Sequence, residues 1–185
     1  SDKLPDSPPT VLKRLGGAQA EGVVEAMQAV RAAVAENKSI RIAGKGTFNG
    51  LGNRLTKESV VIDSLKMTDF IEYDQDNQFI TVGSGVTLSA LQDKLGQQNQ
   101  WLPIRPPFGT TETTIGALVA TAEVGPERLA YGAPRDMLLG LQYIDSSGSM
   151  VSAGGKVVKN VAGYDMTRLL TGSMGTLGFI TEATW

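Results

Sequence analysis

The residues best suited to chemistry lie in a glycine-rich loop that follows a predicted strand. Residues 43–50 of this loop read AGKGTFNG. Successive backbone N–H groups in such a loop can form a concave site for a phosphate, and glycine removes the Cβ atoms that would block it. Two standard phosphate motifs fit poorly, because Asn49 stands where a dinucleotide fingerprint needs its third glycine and Lys45 lies between two glycines instead of before Ser or Thr. From this loop alone, a connection that binds no ligand remains the alternative.

Two later segments are also rich in glycine. Gly83-Ser84-Gly85 lies between a predicted strand and a predicted helix, which is typical either of half a dinucleotide site or of a tight turn without a ligand. Between residues 163 and 178, four glycines flank Ser173 and Thr176. They would let the backbone approach a flat ring closely, and the strand that follows could present its edge amides to that ring. Ser173 is not expected to be a nucleophile, because the chain has no His to activate a hydroxyl.

The composition excludes several function classes. The 185 residues include 22 glycines but neither Cys nor His, which excludes disulfides, Ser-His-Asp hydrolases, cysteine proteases and HExxH metalloproteases for this chain acting alone. The net charge is -2, with 41% hydrophobic and 19% charged residues. We therefore expect a folded globular protein that binds no nucleic acid. No apolar stretch approaches the roughly 20 residues of a transmembrane segment, and the start has no secretory signal, so we expect a cytoplasmic protein.

Periodicity predicts two lobes that both contain helices and strands, without internal repeats. After a Pro-rich lead-in over 1–19, Val23, Met27, Val30 and Val34 form the apolar stripe of a helix over 20–36. Thr87 is predicted to cap a second helix. The first lobe is expected to span 20–82 and the second 83–185. The other predicted helices cover 88–95, 114–122 and 165–170, and the predicted strands cover 39–43, 60–63, 70–73, 78–82, 138–145, 150–152 and 177–185.

Several motifs together resemble a known family of flavoproteins. They are the first glycine loop, Pro103 with Pro106-Pro107, the run Thr113-Thr114-Ile115-Gly116, Gly125, Tyr131-Gly132 with Arg135-Asp136, and above all the run KNVAGYDMTRLLTGSMGTLGFIT over 159–181. This pattern resembles the FAD-binding domain of the vanillyl-alcohol oxidase and p-cresol methylhydroxylase type. It is most similar to the FAD-binding subunit of bacterial glycolate oxidase.

The resemblance implies a fold and a cofactor site. The implied fold is α+β and PCMH-type, with FAD held between a small α/β lobe and a larger lobe built on a mixed sheet. The implied cofactor contacts are Gly44, Lys45, Gly46, Thr47, Phe48, Asn49 and Gly50 for the pyrophosphate, and Pro107, Thr113, Thr114, Gly116, Gly125, Asp165, Gly175, Gly178 and Ile180 around the flavin. Covalently flavinylated relatives attach FAD through His or Cys, so FAD is expected to be noncovalent here. No catalytic residue and no metal site are assigned.

The resemblance also implies a function in flavin-dependent oxidation of a small 2-hydroxy acid such as glycolate. The implied partners are the other glycolate oxidase subunits, namely a catalytic flavin subunit and an iron-sulfur subunit. Relatives often read TIGG where this chain has Thr114-Ile115-Gly116-Ala117. A substrate domain normally follows the strand that ends near Trp185, so we expect that domain to be absent and this chain alone to be inactive. Two alternatives remain: a non-catalytic assembly subunit that supports a catalytic paralogue, and a flavin reductase of peptidoglycan precursor synthesis.

Overall fold

The structure is a computed structural model that describes residues 15–51, 59–155 and 164–185. Most of the predicted lead-in and residues 159–163 of the most specific motif lie outside the described residues. All sixteen predicted cofactor contacts lie within them.

The first lobe is a two-stranded parallel sheet covered by one long helix. Helix α1 (Gly17–Ala35) packs on strands β1 (Ser39–Ala43) and β2 (Ser59–Asp63), which pair in parallel. The predicted apolar stripe is confirmed at Val23, Met27 and Val30, but Val34 is 54% exposed. Ala33 is buried instead, because in the last turn the buried face has rotated by one residue. The helix ends before Asn37, whose left-handed φ of 53° reverses the chain.

The second lobe is built on a five-stranded sheet with the order β3-β4-β7-β5-β6. Its strands are β3 (Phe70–Asp74), β4 (Phe79–Gly83), β5 (Gly140–Ile144), β6 (Met150–Gly154) and β7 (Phe179–Thr184). The predicted mixed sheet is wrong, because all four strand pairs are antiparallel. Tight turns join β3 to β4 and β5 to β6, and such hairpins make antiparallel neighbours. The predicted lobe boundary between residues 82 and 83 falls inside β4, and the hairpin before it belongs to this larger sheet.

Short helices cover one face of the larger sheet. Helix α2 (Leu88–Gly96) buries Leu88, Leu91 and Leu95, and the Thr87 hydroxyl accepts a bond from Ala90 N, which confirms the predicted cap. Helix α3 (Ile115–Thr121) is almost entirely apolar and packs beside β7. The predicted helical turn is α6 (Met166–Leu170). Two four-residue helices, α4 (Arg128–Tyr131) and α5 (Pro134–Met137), were not predicted. None of the described helices is both long and apolar enough to cross a membrane.

The two lobes meet at places where only glycine fits. A Cβ on Gly83 would lie 2.3 Å from the carbonyl oxygen of Met67, and a Cβ on Gly85 would lie 2.0 Å from the carbonyl oxygen of Ser64. Both distances are far below van der Waals contact, so a side chain there would force the backbones apart. The Gly83-Ser84-Gly85 segment is therefore a tight turn that lets the lobes approach each other.

Candidate functional site

A cleft of about 750 Å³ runs between the two lobes. One wall is β1 with the glycine loop after it, and the opposite wall is the beginning of α3 and the chain that leads into β7. This volume lies within the roughly 300–1,000 Å³ that is usual for small-molecule sites. The residues that line the cleft are Ile40, Arg41, Ile42, Ala43, Gly44, Lys45, Gly46, Thr47, Phe48, Asn49, Leu51, Ser64, Glu112, Gly116, Ala117, Ala120, Thr121, Met174, Gly175, Thr176, Gly178, Phe179 and Ile180.

The glycine loop turns sharply at Gly46. This residue has a φ of 86°, in the left-handed region that favours glycine. The turn is closed by a 3.0 Å hydrogen bond that Asn49 N donates to the Gly46 carbonyl. A Cβ at Gly46 would lie only 2.9 Å from Asn49 Nδ2. Both the backbone angle and the local space therefore require glycine at this position.

Four consecutive amides of this loop are left without protein acceptors. Within the described part of the chain, the backbone N–H groups of residues 45–48 donate to no carbonyl or side chain. All four residues line the cleft. Backbone N–H groups that are gathered in one loop and left unpaired form a favourable site for an anion. The loop thus has donors available for an anion, and its predicted contacts with a pyrophosphate stay predictions.

Contacts with the second lobe hold the loop in place. Lys45 Nζ donates to the Thr111 carbonyl at 3.0 Å and to Glu112 Oε1 at 3.3 Å. Thr47 Oγ1 donates to the Glu112 carbonyl at 2.8 Å. Farther along, the Phe48 ring meets the ring of Phe108 edge to face, with centroids 5.3 Å apart. These contacts fix the loop against the segment that leads into α3.

The beginning of α3 approaches the loop closely. The Thr114 hydroxyl caps α3 by accepting a bond from Ala117 N. A Cβ on Gly44 would lie 2.5 Å from Thr114 Oγ1, so glycine at position 44 lets the loop lie against this cap. Gly116 lines the cleft and lies against Ser84, whose Cβ would be 2.9 Å from an added Cβ. Thr114 itself is fully buried and does not line the cleft.

The opposite wall combines glycines with the first residues of β7. Gly175 has a φ of 72°, and an added Cβ there would contact the side chain of Ile42 on β1 at 3.4 Å. Strand β4 pairs with β7 only at residues 182–184, so Phe179 and Ile180 have no β4 partner among the described residues. Both line the cleft. This end of β7 offers the cleft the apolar side chains of two buried residues.

Ten of the sixteen predicted contacts line the cleft and six do not. Besides Thr114, the structure gives two of the six a packing role. Thr113 is fully buried and its hydroxyl donates to the Gly109 carbonyl at 2.8 Å. A Cβ on Gly125 would lie 2.3 Å from the Arg105 carbonyl oxygen. Pro107 and Gly50 are exposed outside the cleft. Their predicted contacts with a flavin cofactor stay predictions.

Asp165, the sixth of these residues, caps helix α6. Its carboxylate accepts hydrogen bonds from the Thr167 hydroxyl at 2.5 Å and from Arg168 N at 3.1 Å. The Thr167 hydrogen bond is the main cause that lowers the pKa of Asp165 below its ordinary value, and the Arg168 amide adds to it. The hydrogen bonds of this carboxylate are those of a residue that caps the N-terminus of a helix.

Sequence reasoning missed the apolar wall and two of the charged groups of the cleft. Ile40 and Ile42 were predicted only as residues of a half-buried strand, and their alternation could not show which cavity they line. Nothing in the sequence pattern indicated that Arg41 lines the cleft. Glu112 lies directly before the predicted Thr113-Thr114 pair, so its position near that motif is the signal that could have found it.

Comparison with known protein families shows where the chain belongs. A family profile described as "FAD binding domain" matches residues 18–154. The chain belongs to this FAD-binding family. The predicted resemblance, the α+β fold class and FAD as the cofactor are thereby confirmed.

Individual proteins resemble the chain in sequence, and a solved structure resembles it in fold. The chain is 38% identical over 152 residues to a D-lactate dehydrogenase of Archaeoglobus fulgidus, covering 81% of this chain and 34% of that protein. It is 35% identical over 156 residues to glycolate oxidase subunit GlcE of Escherichia coli, covering 84% of this chain and 44% of that protein. An alkyldihydroxyacetonephosphate synthase structure shares the fold, with a TM-score of 0.71, 24% identity, and coverage of 87% of this chain and 29% of that one. The chain thus spans less than half the length of these relatives.

The residues of the cleft fit FAD. The unpaired amides of residues 45–48 and the ammonium of Lys45 suit a pyrophosphate. The wall formed by Ile42, Phe179 and Ile180 suits a flat apolar ring system. Polar donors in the loop and an apolar wall suit the pyrophosphate and the flavin ring, two chemically different parts of this dinucleotide.

Proposed function

We propose that the chain holds FAD noncovalently in the cleft and serves as the FAD-binding part of an enzyme that oxidises a small 2-hydroxy acid. The observation that carries this proposal is the row of unpaired amides beside an apolar cleft in a member of the FAD-binding family. The names of the two relatives above, a D-lactate dehydrogenase and a glycolate oxidase subunit, support the substrate class. The absence of Cys and His from the chain supports noncovalent attachment.

The proposed binding mode divides FAD between the two walls. The amides of residues 45–48 hold the pyrophosphate, with Gly44 and Asn49 completing the loop around it. Gly175, Gly178 and Ile180 line the flavin ring in this binding mode. Bound FAD supplies the hydride acceptor for oxidation of a hydroxyl-bearing carbon. This chain positions that acceptor and keeps its ring out of bulk water.

A second candidate function is a flavin-fold subunit that supports a catalytic paralogue. Among the described residues of the cleft, Glu112 is the sole carboxylate, and its Oε1 lies 3.3 Å from Lys45 Nζ. An engaged carboxylate is a poor general base. In the first proposal, the base that takes the substrate's hydroxyl proton comes from outside the described cleft residues, and the glycolate oxidase partners are a catalytic flavin subunit and an iron-sulfur subunit.

Two measurements on the purified chain test these proposals. Titration with FAD, followed by quenching of flavin fluorescence, is expected to reach one FAD per chain. Acid precipitation of the complex is then expected to release all the flavin into the supernatant. Failure to bind FAD would refute the first proposal and favour the assembly subunit, whereas flavin that stays with the precipitated polypeptide would refute noncovalent binding. Dye reduction with D-lactate or glycolate, measured with and without partner subunits, then tests the substrate class.

A further inference from the structure

The charges in the cleft are few and partly neutralised. Among the described lining residues, only Arg41, Lys45 and Glu112 carry charge. The ammonium of Lys45 lies 3.3 Å from the carboxylate of Glu112, with side chains 37% and 57% exposed. The carboxylate therefore pairs with the ammonium of a residue that belongs to the phosphate-binding loop. An anionic ligand on the amides of residues 45–48 would have to compete with Glu112 for Lys45.

The position of the loop does not depend on that carboxylate. Lys45 Nζ also donates to the Thr111 carbonyl at 3.0 Å, and Thr47 Oγ1 donates to the backbone carbonyl of Glu112 at 2.8 Å. Both acceptors are backbone oxygens, which any residue at positions 111 and 112 would provide. The ring contact between Phe48 and Phe108 is also independent of it. A change of the Glu112 side chain thus alters the charge near the loop and leaves its attachment in place.

We propose that Glu112 sets the affinity of the cleft for its dinucleotide by occupying Lys45, so that its carboxylate opposes the binding of the pyrophosphate. This inference rests on the proposed FAD-binding function. Glu112 is a specificity-determining residue in this account, because it acts against ligands that carry phosphate and not against the flavin ring. The ion pair lowers the affinity for the dinucleotide because Glu112 competes with the pyrophosphate for the ammonium of Lys45.

The test compares Glu112→Gln with wild type in titrations with FAD, ADP and riboflavin. Glutamine has the same shape without the charge. Exposed ion pairs are worth little, so freeing Lys45 is expected to tighten FAD and ADP binding by about two- to fivefold. Riboflavin carries no phosphate, and its affinity is expected to stay unchanged. Glu112→Ala is also expected to tighten FAD and ADP binding. In a Lys45→Met background, Glu112→Gln is expected to leave the affinity for FAD and ADP unchanged.

Glu25→Gln provides a matched control. Glu25 forms an ion pair with Lys66 at 2.8 Å, with side chains 53% and 50% exposed, and lies outside the cleft. The Glu25→Gln substitution removes one negative charge from the protein, as Glu112→Gln does, so it reports any general effect of net charge on the binding of anions. We expect no change in FAD affinity for this variant. Circular dichroism of each variant without ligand verifies that the fold is intact.

The outcomes separate this inference from the proposed function. If wild type binds no FAD, the proposed function fails. If wild type binds FAD but Glu112→Gln binds it equally or more weakly, only the role of Glu112 is overturned. An equal gain for riboflavin, or a full gain in the Lys45→Met background, would also overturn it.

Discussion

Replacing Gly46 with alanine tests whether the first loop holds phosphate or only connects two strands. The φ of 86° at this residue is left-handed, which costs a residue with a Cβ about 1–2 kcal/mol. The new Cβ would also lie 2.9 Å from Asn49 Nδ2, so the Asn49 side chain or the loop must shift. We expect the free energy of unfolding of the ligand-free protein to fall by about 1–3 kcal/mol.

The same shift is expected to weaken FAD binding. The amides of residues 45–48 lie around the turn at Gly46, so a shift of that turn changes their arrangement. Each charge-assisted hydrogen bond that is lost costs about 1.5–3 kcal/mol. Loss of a single bond therefore lowers the affinity for FAD about tenfold or more.

Gly109→Ala is the matched control for backbone strain. Gly109 has a nearly equal φ of 85°, nothing lies within 4 Å of an added Cβ, and the residue does not line the cleft. Urea unfolding of both ligand-free variants is expected to show a similar loss of stability, of about 1–2 kcal/mol for Gly109→Ala. Fluorescence titration is expected to show weaker FAD binding for Gly46→Ala alone. Wild-type FAD affinity in Gly46→Ala, or an equal loss in both variants, would refute the phosphate role.

Three further substitutions test the surroundings of the cleft. Thr47→Val removes the 2.8 Å bond to the Glu112 carbonyl, and FAD titration is expected to show about two- to tenfold weaker binding, since one hydrogen bond is worth about 0.5–1.5 kcal/mol. Asp165→Ala removes the cap of α6 and is expected to cost about 0.5–2 kcal/mol in urea unfolding at pH 7. Folding lowers the pKa of Asp165. The stabilisation by its carboxylate is therefore present above the ordinary pKa of about 4 and is lost as the pH falls through the pKa of the folded state. The difference in unfolding free energy between Asp165→Ala and wild type is expected to become smaller in acid. Leu118→Ala empties a fully buried position and is expected to cost about 2–5 kcal/mol of unfolding free energy; a loss below 1 kcal/mol would contradict the packing of α3.

Local signals in the sequence predicted most of the elements. Apolar spacing located α1 and α2, and the turn-forming residues between 74 and 78 located the hairpin of β3 and β4. The cap at Thr87 followed from the residue type at a helix start. Each of these features depends on neighbours within a few positions, where propensity and periodicity act directly.

Features that depend on distant pairs were not predictable in this way. β7 lies between β4 and β5, so the last described strand pairs with residues 81–83, about a hundred positions earlier. An alternating pattern shows which face of a strand is buried but not which strand lies beside it. For the same reason, the contact of Lys45 with Glu112, 67 positions away, had no signal in the sequence. Resemblance to the family predicted the cofactor. Only the three-dimensional structure shows which of the predicted contact residues line the cleft and which lie outside it.

A crystal structure of the chain with FAD bound is the most direct test of the central claim. We predict that the pyrophosphate oxygens lie within hydrogen-bond distance of the backbone amides of residues 45–48, with the flavin ring against Gly175 and Ile180. We also predict no covalent bond between FAD and the chain. FAD bound elsewhere on the surface, or a pyrophosphate that makes no contact with these amides, would contradict the account.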